Sequence, residues 1–326
     1  MALRERSAAA MLRDLDRIEE NVVAPAVDRA VRAFVTAVNT AANYGIREAP
    51  TTQSIVAALT PGAERVWPLT VGTLSSWWEE FVNDYVLAAV RAAWRAGYGA
   101  TSDGGETVSS LDNLDEYLAR VSDRLVRGLV PPLPEAAMDL VRVAVTLAAS
   151  FGWSNNELSA RIAADLDWET DGAYWRSEYE RLTVDIETIL DPLGPPGTPA
   201  REQARESDPR VAMLQVQRSR ARLQLDNEQS YWQTRAQRIS RTESTGAYNA
   251  AGLAALADEG EEQKAWIATE DSRTRPSHAA ADRQVVPITA AFEVGASTLL
   301  MPGDPTGPAH ETVNCRCTVI GASLLE

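Results

Sequence analysis

The residues best suited to bind a metal ion lie together near the C-terminus of the chain. His278 and His310 are the only histidines in the sequence, and Cys315 and Cys317 are the only cysteines. In an extended segment, alternate side chains point to opposite faces, so both thiols would lie on one face with Arg316 on the other. Two cysteines and two histidines are a ligand set that suits zinc. A zinc site is therefore one interpretation of this segment.

A second interpretation of the same residues is preferred. Structural zinc sites usually take a cysteine pair from a Cys-x(2–4)-Cys sequence, and the Cys-x-Cys spacing found here is tighter. We therefore expect two buried thiols and no cofactor, with His278 in a short helix over 276–283 and His310 in a loop. A metal bound by His278 and both cysteines could also take a carboxylate, such as Asp271 or Asp282, as a further ligand.

Another set of polar side chains could form the active site of an enzyme. Arginines clamp phosphates, and a Glu or His side chain can act as a general base, so a nuclease or an ADP-ribosyl-transfer site is one alternative. A network of salt bridges that holds a small, loop-rich domain together is preferred, and no catalytic residue is assigned. The residues concerned are Arg241, Glu243, Asp271, Arg273, Arg275 and His278.

Helical periodicity dominates the chain up to residue 190. Apolar residues recur every three or four positions from 74 to 92, which predicts a helix that ends at Gly97-Tyr-Gly99. Similar patterns predict helices at 12–37, 111–129, 134–151, 155–166 and 168–190. Residues 191–200 contain four prolines and two glycines, which cannot continue a helix and predict a hinge.

The segment after this hinge has a different charge from the rest of the chain. Seven arginines lie between Arg210 and Arg241 against two acidic residues, a local charge of +5 in a chain of net charge −15. An apolar seven-residue repeat interrupted by charged residues predicts one long helix there. We expect this helix to meet an acidic partner, with nucleic acid as the alternative.

Short apolar runs after residue 244 predict strands at 264–268, 284–288 and 317–320, and hence a small α+β domain. The predicted fold is mainly α: an elongated helical domain over 1–190, a Pro/Gly-rich hinge over 191–200, and the long helix with the α+β domain over 201–326. No apolar stretch reaches the length of a membrane span, and the acidic surface disfavours anionic membranes, so no membrane partner is expected.

The polar residues of the C-terminal region also follow a recognisable order. In sequence they are Arg238-x-x-Arg241-Thr242-Glu243, Trp266, Asp271-x-Arg273-x-Arg275-x-x-His278, Pro302-Gly-Asp304 and Asn314-Cys-Arg316-Cys317. This order resembles the minor head, or head morphogenesis, proteins of tailed phages, the phage Mu protein F-like family. The motif core covers about 238–320. Arg283 stands where that family commonly has glycine, which argues against a positive-φ turn at this position.

The resemblance implies a structural protein of the virion rather than an enzyme. Such a protein would be present in few copies at the portal vertex of the head, after assembly in the host cytoplasm. It would bind portal or other capsid proteins and assist head assembly or DNA packaging and delivery, with Arg210–Arg241 as a contact for packaged DNA. We also expect the Asn-Cys-Arg-Cys segment to dock beside the Arg-Thr-Glu helix and His278, with Arg316 paired to Glu243 or Asp271.

Overall fold

The computed structural model describes residues 8–48, 69–102, 107–128, 133–151, 153–167, 172–226 and 231–325. These residues are mainly helical, and a small α+β region follows at the C-terminus, as the sequence predicts. None of the helices within these ranges combines the length and the apolar character needed to cross a membrane.

The helices before the Pro/Gly-rich segment follow the apolar periodicity closely. They are α1 (Ala8–Ile18), α2 (Ala24–Glu48), α3 (Val71–Phe81), α4 (Leu87–Thr101), α5 (Val108–Asp123), α6 (Leu133–Phe151), α7 (Asn155–Asp165) and α8 (Gly172–Leu190). Single π-helical turns at Glu19–Val23, Val82–Val86 and Arg124–Gly128 continue α1, α3 and α5. Ser154 caps α7 in a reciprocal pair with Glu157, which satisfies backbone N–H groups at the start of that helix.

Gly97 does not end its helix, which continues to Thr101. A Cβ atom at Gly97 would lie 2.5 Å from the backbone oxygen of Tyr248. The glycine therefore allows the backbones of α4 and α11 to approach each other closely. In a sequence, a glycine required for close packing looks the same as a glycine that ends a helix.

Within the described residues, the segment from Pro199 to Asp258 contains three helices. They are α9 (Pro199–Ser207), α10 (Pro209–Asp226) and α11 (Tyr231–Asp258). The break between α9 and α10 falls at Asp208, whose backbone is extended. A residue that precedes proline avoids helical geometry, so Pro209 explains the break.

The chain forms two compact units. The first contains Met1–Phe34, Thr70–Ala136 and Arg235–Glu326, and the second contains Val35–Leu69 and Ala137–Thr234. This arrangement differs from the consecutive domains predicted at 1–190 and 201–326. Ala100 of α4 packs with Tyr248 of α11 in the first unit. Periodicity shows which helix face is apolar but not which distant helix will cover it.

The Pro/Gly-rich segment lies inside the second unit. Arg201 is buried and donates hydrogen bonds of 2.9 Å to the Asp191 carboxylate and to the Gly194 carbonyl, and it also pairs with Glu187. These bonds fix the connection between α8 and α9. The segment is thus an ordered turn within one unit.

The α+β region belongs to the first unit. Its strands are β1 (Gln263–Ile267), β2 (Val285–Pro287), β3 (Phe292–Val294), β4 (Ser297–Leu299) and β5 (Thr318–Gly321), with short helices α12 (Pro276–Ala281) and α13 (Ala309–Thr312). An antiparallel sheet has the order β2-β1-β5, and β3 and β4 form a separate hairpin. The three predicted strands are β1, β2 and β5. The sequence analysis did not predict the hairpin of β3 and β4.

Arg283 adopts a positive φ of 58°. The sequence argued against a positive-φ turn here, because arginine, unlike glycine, has a Cβ atom. Its backbone N–H donates a 2.8 Å hydrogen bond to the carbonyl of Trp266 in β1. The sheet therefore holds the turn in a conformation that costs about 1–2 kcal/mol for a residue with a Cβ atom.

Replacing Arg283 by glycine should stabilise the protein. We expect Arg283→Gly to raise the free energy of unfolding by about 0.5–1 kcal/mol, because the relief of strain exceeds the added entropy of the unfolded chain. Denaturant unfolding measures this change. Arg283→Ala is the control, since it removes the same exposed side chain and keeps the strain. Equal stability of the two variants would contradict this explanation.

Candidate functional site

Side chains of α11 bind the backbone of residues 314–319, which we call the closing segment. The hydroxyl of Thr242 accepts a 3.1 Å hydrogen bond from the Asn314 N–H, and the hydroxyl of Thr245 donates one of 2.7 Å to the Cys315 carbonyl. These threonines lie on one face of the helix because they are three positions apart. The Arg-Thr-Glu helix thus docks the closing segment, as expected from the sequence.

Asn249 makes the largest number of these contacts. Its amide nitrogen donates to the carbonyls of Cys317 at 3.0 Å and Pro302 at 3.2 Å. Its amide oxygen accepts from the N–H of Val319 at 2.9 Å and the hydroxyl of Thr318 at 3.0 Å. Asn249 is 1% exposed, so water cannot replace these partners.

Arg316 pairs with Asp271 through two hydrogen bonds of 2.6 Å. These bonds, and a further one from the backbone N–H of Arg273, hold the pKa of the Asp271 carboxyl well below its usual range. The Arg273 guanidinium lies 3.9 Å from the same carboxylate. Of the two partners predicted for Arg316, the structure selects Asp271. The carbonyl of Arg316 accepts a 2.6 Å hydrogen bond from the hydroxyl of Thr269.

Glu243 pairs instead with Arg124, which sequence reasoning missed. The two side chains are joined by a hydrogen bond, and Glu243 is fully buried. Burial raises the pKa of the Glu243 carboxyl, although Arg124 opposes this shift. Arg241 pairs with Glu19 at 3.1 Å. The arginine and glutamate of the Arg-Thr-Glu motif therefore bind two different elements.

Three other motif residues stabilise the loops around the small sheet. Arg275 donates to the carbonyl of Val313, just before the closing segment. The Asp304 carboxylate accepts from the N–H of Leu300 at 2.9 Å and of Thr306 at 2.8 Å, so it fixes its own turn. Trp266 is buried, and its ring packs edge-on against the rings of His278 and Phe292.

His278, Cys315 and Cys317 converge on one buried point. The Nδ1 atom of His278 lies 3.7 Å from the Cys315 sulfur and 3.4 Å from the Cys317 sulfur. The ligand atoms of all three residues lie within 4.8 Å of one another. The other ring nitrogen, Nε2, lies 3.1 Å from the carboxylate of Glu311, which sequence reasoning missed.

His310 does not join this group. Its side chain is 71% exposed, and its Nε2 atom lies 4.0 Å from the outer oxygen of Glu311. His310 and Arg238 instead line a surface pocket between α11 and α13. The interpretation with four ligands therefore does not fit His310, because α13, where a loop was expected, directs its histidine to solvent and its glutamate inward.

The two thiols differ in acidity. The pKa of Cys317 is lowered mainly because the Cys315 thiol hydrogen-bonds to its sulfur. The pKa of Cys315 is raised because its thiol donates to Cys317 and because it is buried. The arrangement thus favours one thiolate beside one thiol, with the imidazole facing both.

Lys264 is a further residue that the sequence analysis did not single out as a site residue. It is the only lysine of the chain, and it is fully buried. Its Nζ atom donates a 2.8 Å hydrogen bond to the Leu300 carbonyl and lies 5.1 Å from the centre of the Phe292 ring. Burial lowers the pKa of Lys264 to about 8, although Asp304 opposes this shift.

The residues considered for an enzyme do not form one cluster. They separate into the pairs Arg241–Glu19, Glu243–Arg124, Asp271–Arg316, Arg275–Val313 and His278–Glu311, with Arg273 beside Asp271. The pairs join several different elements of the first unit to one another. The arrangement is that of a structural network.

The fold and this network define a mainly helical protein with a small α+β region, whose last strand, β5, completes the three-stranded sheet. Residues 202–320 match the family described as Phage Mu protein F like protein, so this segment is similar to that family. The match begins upstream of the motif core at 238 and includes α10. The match suggests a phage head morphogenesis protein. No curated protein and no solved structure was found to match the chain.

Removal of the Asn249 side chain should destabilise the protein more than removal of Arg316. Asn249→Ala leaves several buried backbone groups without partners, each costing about 1–3 kcal/mol, so a loss of about 3 kcal/mol or more is expected. Arg316→Ala should cost about 1 kcal/mol, because the side chains of Arg316 and Asp271 are 17% and 32% exposed. Denaturant unfolding of the full chain measures both losses.

The control for these two variants is Arg17→Ala, which removes an exposed ion pair with Asp14. We expect this change to have little effect on stability. A loss in Asn249→Ala no larger than that in Arg17→Ala would contradict the role given to the closing segment.

Proposed function

We propose that this protein is a structural minor capsid protein of a tailed phage. It would assist head assembly or DNA packaging and delivery from a position at the portal vertex. The observation that carries the proposal is the match of residues 202–320 to the phage Mu protein F-like family. The structural network supports it, because the charged motif residues bind other parts of the same chain.

The proposed partners are the portal protein or other capsid proteins. The second unit offers surface for such a contact, since Val184 of α8 and Val216 of α10 are 63% and 66% exposed. A partner with an apolar contact surface would match these exposed side chains.

A contact with packaged DNA through Arg210–Arg241 is the secondary proposal. Several arginines of this segment already bind acidic residues of the chain. Arg210 pairs with Asp208 at 2.8 Å, and Arg220 lies 3.7 Å from the Asp165 carboxylate. Arg241 pairs with Glu19, and Arg235 is buried. Four of the seven are thus paired or buried within the chain, which favours a protein partner over DNA.

Analysis of purified heads tests the proposed function. Mass spectrometry should find the chain in mature heads at far fewer copies than the major capsid protein, and phage that lack its gene should assemble defective heads. Ultraviolet crosslinking of the same heads tests the DNA contact through nucleotides attached to 210–241. Absence of the protein from heads that assemble and infect normally would overturn the proposal.

A binding experiment with the full chain separates the partners. The tagged chain is produced with either the portal protein or the major capsid protein of the same phage. Co-purification with portal is expected, and Val216→Glu should weaken it because a charge would enter the proposed contact. Val285→Glu is the matched control, since Val285 is 41% exposed on β2, outside the second unit. Capture of neither protein would refute the proposed partners.

A further inference from the structure

Two separate elements supply the atoms that meet at His278. The imidazole comes from α12, and the two sulfurs come from the closing segment. In tetrahedral zinc sites the Zn–S and Zn–N distances are about 2.3 and 2.0–2.1 Å, which places sulfur and nitrogen about 3.6 Å apart. The observed separations from the His278 Nδ1 atom are 3.4 and 3.7 Å. Both sulfur–nitrogen separations therefore match those of a zinc site.

The contact with Glu311 orients the ring of His278. The Nε2 atom faces the Glu311 carboxylate, which accepts hydrogen bonds, and in the tautomer that donates to this carboxylate the proton lies on Nε2. The Nδ1 atom then has one lone pair and faces two sulfurs. One lone pair accepts one S–H donor well, whereas a cation between the three atoms would be shared by all of them.

The partners of the three residues are those of a metal centre. A metal-bound histidine usually donates its other ring N–H to a carboxylate, which Glu311 provides. The hydroxyl of Ser277 donates to the same Glu311 oxygen at 2.8 Å and holds it in place.

The apolar surroundings of the three residues favour a metal site without net charge. The two cysteines lie in the apolar cluster around Trp266, Phe292 and Val319. Two thiolates, a neutral imidazole and a divalent cation form a neutral group, which such surroundings tolerate better than a net charge. Soft sulfur ligands together with imidazole favour zinc over magnesium or calcium.

We propose that His278, Cys315 and Cys317 bind one zinc ion, which fastens the closing segment to α12. The fourth position is taken by water or another small ligand. Within the described residues, no other histidine, cysteine or carboxylate joins the group. The two carboxylates considered from sequence have other partners: Asp271 binds Arg316, and Asp282 accepts a 2.8 Å hydrogen bond from the Ala268 N–H.

Elemental analysis of the full chain tests this site. Protein purified without chelators should contain about one zinc per chain, and Cys317→Ala and His278→Ala should lose it. His310→Ala is the matched control and should keep its zinc, because that side chain is exposed. Glu311→Ala should weaken zinc affinity about 10- to 100-fold through the loss of the bond to His278. Circular dichroism checks that each variant retains its helical content.

Thiol chemistry gives a second test on the unaltered protein. Because the chain has only two cysteines, a thiol reagent reports on this site alone. Chelation should release zinc, lower the melting temperature and make both thiols reactive, and added Zn²⁺ should reverse all three changes. The proposal would be overturned if the purified protein contained no zinc and if added Zn²⁺ changed neither its melting temperature nor its thiol reactivity. The two cysteines would then be packed thiols.

Discussion

The backbone of the closing segment needs hydrogen-bond partners, and the structure of the first unit depends on how it obtains them. Residues 314–317 precede β5, so no neighbouring strand pairs with them. Side chains replace the missing strand: Thr245, Thr269 and Asn249 donate to three successive carbonyls, and Thr242 accepts from the first N–H. Buried backbone groups without partners would cost about 1–3 kcal/mol each. The position of α11 is therefore linked to that of the last strand.

Local sequence signals predicted the parts of the site that lie close together in the chain. Alternation in the Asn-Cys-Arg-Cys segment placed both sulfurs opposite Arg316, and the structure has Cys315 and Cys317 facing His278 while Arg316 binds Asp271. The three strands that pair in the sheet were also visible as apolar runs. Such features depend on neighbours a few positions away, which is the range over which periodicity and turn chemistry act.

Features set by distant residues were not predictable in this way. Arg124 and Glu243 are 119 positions apart, and nothing in the composition of either neighbourhood marks the pair. The same limit applies to Gly97, whose missing side chain admits the backbone of Tyr248, and to Arg283, whose positive φ is imposed by β1. The sequence predicted a hinge at the Pro/Gly-rich segment, whereas the structure has an ordered turn there. Prolines show where a helix ends, but they do not show whether a side chain such as Arg201 will hold the following turn in place.

The most direct test of this account is native-state hydrogen exchange of the closing segment. The N–H groups of Asn314 and Val319 bond to side chains of α11 rather than to solvent. Their exchange should therefore require the same opening free energy as the buried core of α11, because the segment cannot leave without unfolding the unit that holds it. Exchange of residues 314–319 at the rate of a frayed terminus, while α11 stays protected, would contradict the claim that the closing segment and this helix form one cooperative structure.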